Sequence, residues 1–178
     1  RAPHDVEHRF WSDIARVENG ALRARSMLEA MCTYLQVDTT VEAVERVDLE
    51  TRLQDVLRLT EATRTAERAT VDGIASGVVT THPQLLRDVL VELITNAARY
   101  GKGDDGMATV SLRLLAGNDA MHIEVDDRGR GIAPEDQDRV WQLFQRLDPV
   151  SGGPIGAGLS LIRRRLEAVG GTVSLDRT

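Results

Sequence analysis

The apolar residues Phe10, Ile14, Val17, Ala21, Ala24, Leu28, Met31 and Leu35 recur at alternating steps of four and three. That spacing is a heptad seam, and Ser12, Asp13, Arg16, Glu18, Arg23, Arg25 and Glu29 fill the outer positions of the same helix. At a rise of 1.5 Å per residue the seam runs for about 39 Å. One helix cannot bury such a seam and its flanks alone, so the pattern calls for partner helices; the competing reading is a single surface helix packed on its own domain. Gly20, Ala21 and Ala24 thin the middle of the seam, which permits a bend or a close helix approach. From Val37 to Asp48 no period is sustained, and the stretch reads as a linker with a domain boundary near Arg46. The expected division is therefore residues 1–46 and residues 47–178.

Beyond the boundary the periods change. Leu49, Leu53, Val56, Leu57 and Thr60 share one face and predict a helix. Residues 69–81 are rich in β-branched side chains, are interrupted by Gly73 and Gly77, and predict two short strands. Thr81, His82 and Pro83 form a helix start, because proline lacks the N–H that a first turn cannot use. That helix extends to Gly101, with Leu85, Leu86, Val89, Leu90, Leu93, Ile94 and Ala97 as its core face. Residues 102–108 are a turn, and the alternation on either side of residues 116–119 predicts a hairpin. Helices over Pro134–Arg146 and Gly158–Val169 follow, then a turn at Gly170 and Gly171 and a last strand. The order predicts an α+β layer, with helices covering one face of a mixed, largely antiparallel sheet.

Composition narrows the field of functions. With 178 residues, 42% hydrophobic and 28% charged, the chain has material for one good core plus an appended element. A net charge of −6 without a basic stripe argues against a nucleic-acid binder. Cys32 is the single cysteine, so neither a disulfide framework nor a cysteine zinc site is expected, which fits a reducing cytoplasm. No stretch approaches the roughly 20 apolar residues that cross a bilayer. Residue 1 is Arg, and the expectation is a fragment of a longer chain, with any sensor or anchor upstream.

Three features carry candidate chemistry. Glu92, Asn96 and Arg99 lie three or four residues apart on one helix and so are neighbours. A carboxylate, an amide and a cation in a row can hold magnesium and phosphate, since Mg²⁺ takes one or two protein oxygens and completes its shell with phosphate and water. The same row also fits the polar face of a surface helix. The second feature is DDRGRGI, Asp126–Ile132, where a strand-end carboxylate can accept from an exocyclic amine and the glycines let the backbone approach a ligand. The third is SGGPIGAGLSLI, Ser151–Ile162, a glycine-rich loop entering a helix whose first N–H groups can face an anion.

In this order, the three features resemble the ATP-binding domain of sensor histidine kinases, within the superfamily that includes gyrase, heat-shock chaperone and mismatch-repair ATPases. ELITNAARY, Glu92–Tyr100, resembles the asparagine box and DDRGRGI the first glycine box. VWQLFQRL, Val140–Leu147, resembles the phenylalanine box, and its FQRL is similar to the phytochrome-like and light-sensor branch. GAGLSLI, Gly156–Ile162, resembles the second glycine box, and VGGTVSL the turn and strand after it. Upstream, ALRARSMLEAMCTYLQV resembles the second helix of the family's dimerisation and phosphotransfer hairpin.

The resemblance implies a sensor histidine kinase catalytic core. Its activity would be autophosphorylation on histidine with ATP and Mg²⁺, followed by relay to an aspartate of a response-regulator receiver domain. It also implies a homodimer through the N-terminal helix, an upstream sensor domain in cis and a cytoplasmic location. By the same resemblance Asn96 binds magnesium, Arg99 stands for a lysine near the phosphates, and Tyr100 packs by the nucleotide. Asp127 accepts from the adenine amino group, and Gly129, Gly131 and Ile132 shape the pocket floor. Phe144 and Arg146 belong to the nucleotide-contacting boxes, while Gly156, Gly158 and Leu159 start the lid-side helix.

Some residues depart from the family pattern. Glu92 stands where many kinases have asparagine. In the gyrase-like ATPases a glutamate here is the general base for water, so hydrolysis is an alternative to polarising an acceptor imidazole or a magnesium-bound water. Pro154 and Ile155 stand where another glycine is expected, with Gly152 and Gly153 displaced upstream, and the lid from Asp148 to Gly156 is short. A non-catalytic phosphotransfer or pseudokinase module is the further alternative. His4 has a following Asp but lacks the acceptor box's proline, and His8 is weaker still; the acceptor is expected upstream. His82 reads as part of a helix start, His122 as a strand residue, and Trp11 and Trp141 as packing residues.

Overall fold

The computed structural model describes residues 3–36, 43–117, 120–147 and 155–176, with side chains from Phe10 onward. Helix α1 spans Pro3–Gln36. Its whole heptad seam is exposed, Val17 at 73% and Leu28 at 63% among them. The face that meets the rest of the chain is a different one, formed by the half-buried Ser26 and Tyr34 and the buried Ala30. The Arg164 guanidinium lies 5.4 Å from the centre of the Tyr34 ring. Trp11 is 61% exposed and meets Phe10 edge-on, so it is not the packing residue expected.

The stretch expected to be a linker carries β1, Glu45–Asp48, which pairs antiparallel with β3, Val78–Thr81. Only four residues long, β1 is too short to show a period, and its ladder partners lie 30 to 36 positions away. Asp48 then caps α2, Leu49–Leu59, by accepting the Thr51 N–H at 2.8 Å. A short helix α3, Glu61–Ala66, leads into β2, Ala69–Ser76. Gly73 does not break this strand. A Cβ there would come within 2.8 Å of Leu53 Cδ2, so the bare backbone allows α2 to lie on the sheet. Gly77, at φ +96°, is the residue that separates β2 from β3.

Helix α4, Pro83–Tyr100, starts with proline in its first turn, as expected, and ends at Gly101. Strands β4, Ala108–Ala116, and β5, Met121–Asp127, form the expected hairpin. The sheet order is β2-β4-β5, with β2 parallel and β5 antiparallel to β4. A parallel pair needs a crossover, and α4 supplies it. The inward row of β4, Ala108, Val110, Leu112 and Leu114, is fully buried or nearly so. Leu112 and Leu114 of this row pack with Leu49, Leu53 and Val56 of α2 and Leu86, Leu90 and Ile94 of α4 into one core. Helix α5, Gly158–Ala168, lies beside α4. The architecture is α+β: an N-terminal helix followed by a mixed sheet with helices on one face.

Two expected elements do not form among the described residues. In place of a helix over Pro134–Arg146 there are two 3₁₀ turns, Pro134–Asp136 and Arg139–Trp141. Gln142 is extended, and Phe144 sits at φ +66° with its N–H donating to Gly156 O at 2.8 Å, so tertiary pairing overrides local helix formation. Residues 172–176 have no ladder partner and form no strand.

Candidate functional site

The site follows from two periodicities. On β5 the inward row is Met121, Ile123, Val125 and then Asp127, which pairs with Val110 of the buried β4 row. Alternation therefore aims Asp127, and not Asp126, at the helix layer. On α4, Glu92, Leu93, Asn96, Ala97 and Tyr100 share the face adjoining the buried stripe, so Leu93 turns toward a cleft and not into the core. That cleft measures about 270 Å³, close to the lower end of small-molecule sites.

The other walls come from the segments around it. Val125 and Asp127 form one side, and Arg130, Gly131 and Ile132 follow in the turn. Val140, Gln145, Arg146, Leu147 and Gly156 close another side, Gly158 and Leu159 begin α5, and Leu175 completes the lining. Of the residues singled out by sequence, Glu92, Asn96, Tyr100, Asp127, Gly131, Ile132, Arg146, Gly156, Gly158 and Leu159 come together here. Arg99, Gly129 and Phe144 do not line it. Arg99 sits at the edge of the cleft-facing side of α4 and is half-buried. Gly129 acts from behind: a Cβ on it would meet Tyr100 O at 2.6 Å, and its N–H donates to Asp127 Oδ1 at 2.9 Å.

Glycines make the joints tight enough to hold these groups. A Cβ on Gly101 would lie 2.6 Å from Asp127 Cβ, so the end of α4 abuts the strand-end carboxylate. Gly156 takes φ +75°, which favours glycine, and lies against Arg146. Gly101, Arg130, Val125 and Leu175 were missed as site residues in the sequence, although Arg130 lies within the DDRGRGI stretch and Val125 two residues before Asp127 on the same row.

The polar groups have defined partners. Asn96 Nδ2 donates to Glu92 Oε1 at 3.0 Å, which leaves the amide carbonyl oxygen as the group Asn96 can offer the cleft. The first turn of α5 has no side-chain cap: Ser160 Oγ donates back to Ala157 O at 2.8 Å, and no acidic residue lies in that turn. Its leading N–H groups therefore suit an anion. Among the described residues no cluster of three His, Cys, Asp or Glu could cage a metal ion. A hard cation shared with phosphate needs only one or two protein oxygens, and the Asn96 carbonyl fits that demand. No helix among the described residues is long and apolar enough to cross a membrane. His82 precedes α4 and His122 lies on β5; His4 and His8 lie within α1, and Gly152, Gly153 and Pro154 fall outside the described residues.

A helix with an amide and a carboxylate, a strand-end aspartate and an uncapped helix N-terminus meet around one cleft of an α+β domain. The chain belongs to the family described as histidine kinase-, DNA gyrase B- and HSP90-like ATPases, whose model matches residues 81–178. Sensor protein RstB of Escherichia coli (strain K12) is 29% identical over 160 residues, 85% of this chain and 35% of RstB. Sensor histidine kinase AruS of Pseudomonas aeruginosa is 30% identical over 162 residues, 85% of this chain and 16% of AruS. Full-length ShkA, solved in complex with AMPPNP, matches with a TM-score of 0.71 at 19% identity over 92% of this chain and 34% of ShkA. That likeness shows the fold. The chain spans about a third of RstB and less of AruS. These two relatives are a sensor protein and a sensor histidine kinase, and the chain is similar to one segment of each.

Proposed function

We propose that the chain binds ATP in the α4–β5–α5 cleft and, as part of a longer sensor kinase, transfers the γ-phosphoryl group to a histidine. A receiver-domain aspartate of a response regulator then takes the phosphoryl group. The observation that carries this reading is the convergence of the Asn96 carbonyl, the Asp127 carboxylate and the uncapped start of α5 on one cleft.

Asp127 accepts from the adenine amino group, a donor that guanine lacks at that position. Gly129 braces the carboxylate, and Gly131 and Ile132 form the floor. Tyr100 and Leu159 flank the nucleotide, Arg146 and the α5 amides face the phosphates, and Gly156 and Phe144 hold the lid-side backbone. Arg99, at the edge of the cleft, contributes charge to the phosphate end. Asn96 would hold magnesium, which would supply charge neutralisation at the phosphate end. In the reaction an imidazole nitrogen attacks the γ-phosphorus in line, the bond to the β,γ-bridging oxygen breaks, and ADP leaves. The protein's part is positioning and electrostatic stabilisation.

The exposed seam of α1 supports a homodimer through that helix, as the dimerisation and phosphotransfer segment; the expected division after residue 46 would cut β1, so the catalytic domain is taken to start with that strand at Glu45. The sensor lies upstream in cis, and the core works in the cytoplasm. The test is incubation of the full-length kinase with γ-labelled ATP and Mg²⁺. Acid-labile, base-stable phosphoprotein is expected. Release of inorganic phosphate alone would instead assign an ATPase with Glu92 as base, and no turnover a non-catalytic module.

A further inference from the structure

We infer that Glu92 is a positioning residue that sets the orientation of the Asn96 amide, and that Gly158 lacks a side chain in order to admit it. This rests on the nucleotide-site reading above. An asparagine side chain presents a donor at one end and an acceptor at the other, and a 180° turn exchanges them. Only the acceptor end can meet a cation. An ionised carboxylate only accepts, so with Glu92 Oε1 3.0 Å from Nδ2 the nitrogen is committed and the carbonyl oxygen is turned away from Glu92. Without that partner nothing on α4 selects the productive end.

The position of Glu92 is in turn set by α5. Glu92 and Gly158 are common to the nucleotide cleft and to a second cavity of about 260 Å³ between α4 and α5, so their contact is the wall between the two. A Cβ built on Gly158 would overlap the Glu92 carboxylate. Backbone conformation does not demand glycine there. Gly156, two residues earlier, has a positive φ, whereas Gly158 is not among the glycines that do. The two glycines of GAG therefore serve different ends, Gly156 the turn and Gly158 the space that Glu92 fills. Through this contact the start of α5 fixes the metal-facing amide on α4 without touching it.

Calorimetry of AMPPNP binding to the full chain, in Mg²⁺ and in EDTA, tests this with Glu92→Ala, Glu92→Gln, Gly158→Ala and the Glu92→Ala/Gly158→Ala pair. Loss of an orienting partner costs on the order of 10–100-fold in metal affinity, so Glu92→Ala should lose that much of the Mg²⁺-dependent gain and keep its affinity in EDTA. Glu92→Gln can accept from Asn96 Nδ2 through its oxygen or turn over and donate to the Asn96 carbonyl, so it no longer selects one end and should keep only part of the gain, between the parent and Glu92→Ala. Gly158→Ala should reproduce Glu92→Ala, and the double variant should be no worse than either single one. Without nucleotide, the Asn96 side-chain NH₂ resonances should move in Glu92→Ala and in Gly158→Ala. The inference is overturned if Glu92→Ala loses the magnesium gain with its Asn96 NH₂ resonances unmoved, or if Gly158→Ala keeps the full magnesium gain. A parent that gains nothing from Mg²⁺ removes the metal-site reading and this inference with it.

Discussion

Helices α1 and α4 both carry regular apolar stripes, yet the stripe of α4 is buried and that of α1 is not. Leu90 and Ile94 are fully enclosed under β4, while Phe10, Val17, Leu28 and Leu35 are each more than half exposed. Helix α1 meets the domain through Ser26, Ala30 and Tyr34, which lie off its seam. Helix α4 instead divides its surface, with one stripe for the core and the adjoining face for the cleft. Periodicity thus shows that a face must be covered, and the packing shows whether the chain covers it. The exposed seam is the reason to look for a second helix outside this chain.

The contrast can be broken most sharply in the core. Ile94→Ala should cost about 2–5 kcal/mol by the usual scale for emptying a buried aliphatic site, read from denaturant unfolding. Next in size is Gly101→Ala at the far end of α4. Its new Cβ would lie 2.5 Å from Ala97 O and 2.6 Å from Asp127 Cβ, so overpacking should cost about 1–3 kcal/mol and weaken adenine-nucleotide binding more than Mg²⁺ dependence. On α1, Leu28→Ala should change unfolding at high dilution by less than about 0.5 kcal/mol while weakening self-association in sedimentation. If Leu28→Ala unfolds the dilute protein as readily as Ile94→Ala, the chain covers its own seam and the contrast fails.

The smallest expected effect concerns pH. The hydroxyl and N–H of Thr51 hold the Asp48 carboxyl below its ordinary value at the start of α2. A lowered folded-state pKa adds stability above the unfolded value and loses it as pH falls through the folded one. Asp48→Asn should therefore flatten the acid limb of the melting curve below about pH 4 and leave its shape near neutrality unchanged. Thermal melts of parent and variant across that range check this.

Much of this was legible because local patterns and tertiary structure agree. The heptad seam, the proline start of α4 and the hairpin alternation all appear as elements, and alternation alone places Asp127 on the inner row. What was not legible depends on distant contacts. Strand β1 needs β3 to exist, and Gly73 reads as a strand breaker until Leu53 is seen above it. The segment before the lid-side helix reads as helical until Phe144 is found bonded to Gly156. In the site, Asn96 and Asp127 stood out as polar groups in apolar patterns. Val140, Leu147 and Leu175 carry no such contrast, and only the fold brings them to the cleft. The resemblance to histidine kinases identified the boxes, but the spatial relation of Glu92 to Gly158 has no sequence signature.

The most direct measurement is calorimetry of ATP binding with and without Mg²⁺, for the parent chain and for Asn96→Ala. Tighter binding in Mg²⁺ by the parent, with that gain lost in Asn96→Ala and the metal-free affinity kept, is the expected result. Equal affinity with and without Mg²⁺ in the parent, or an undiminished gain in Asn96→Ala, would contradict the assignment of this cleft as a magnesium-nucleotide site.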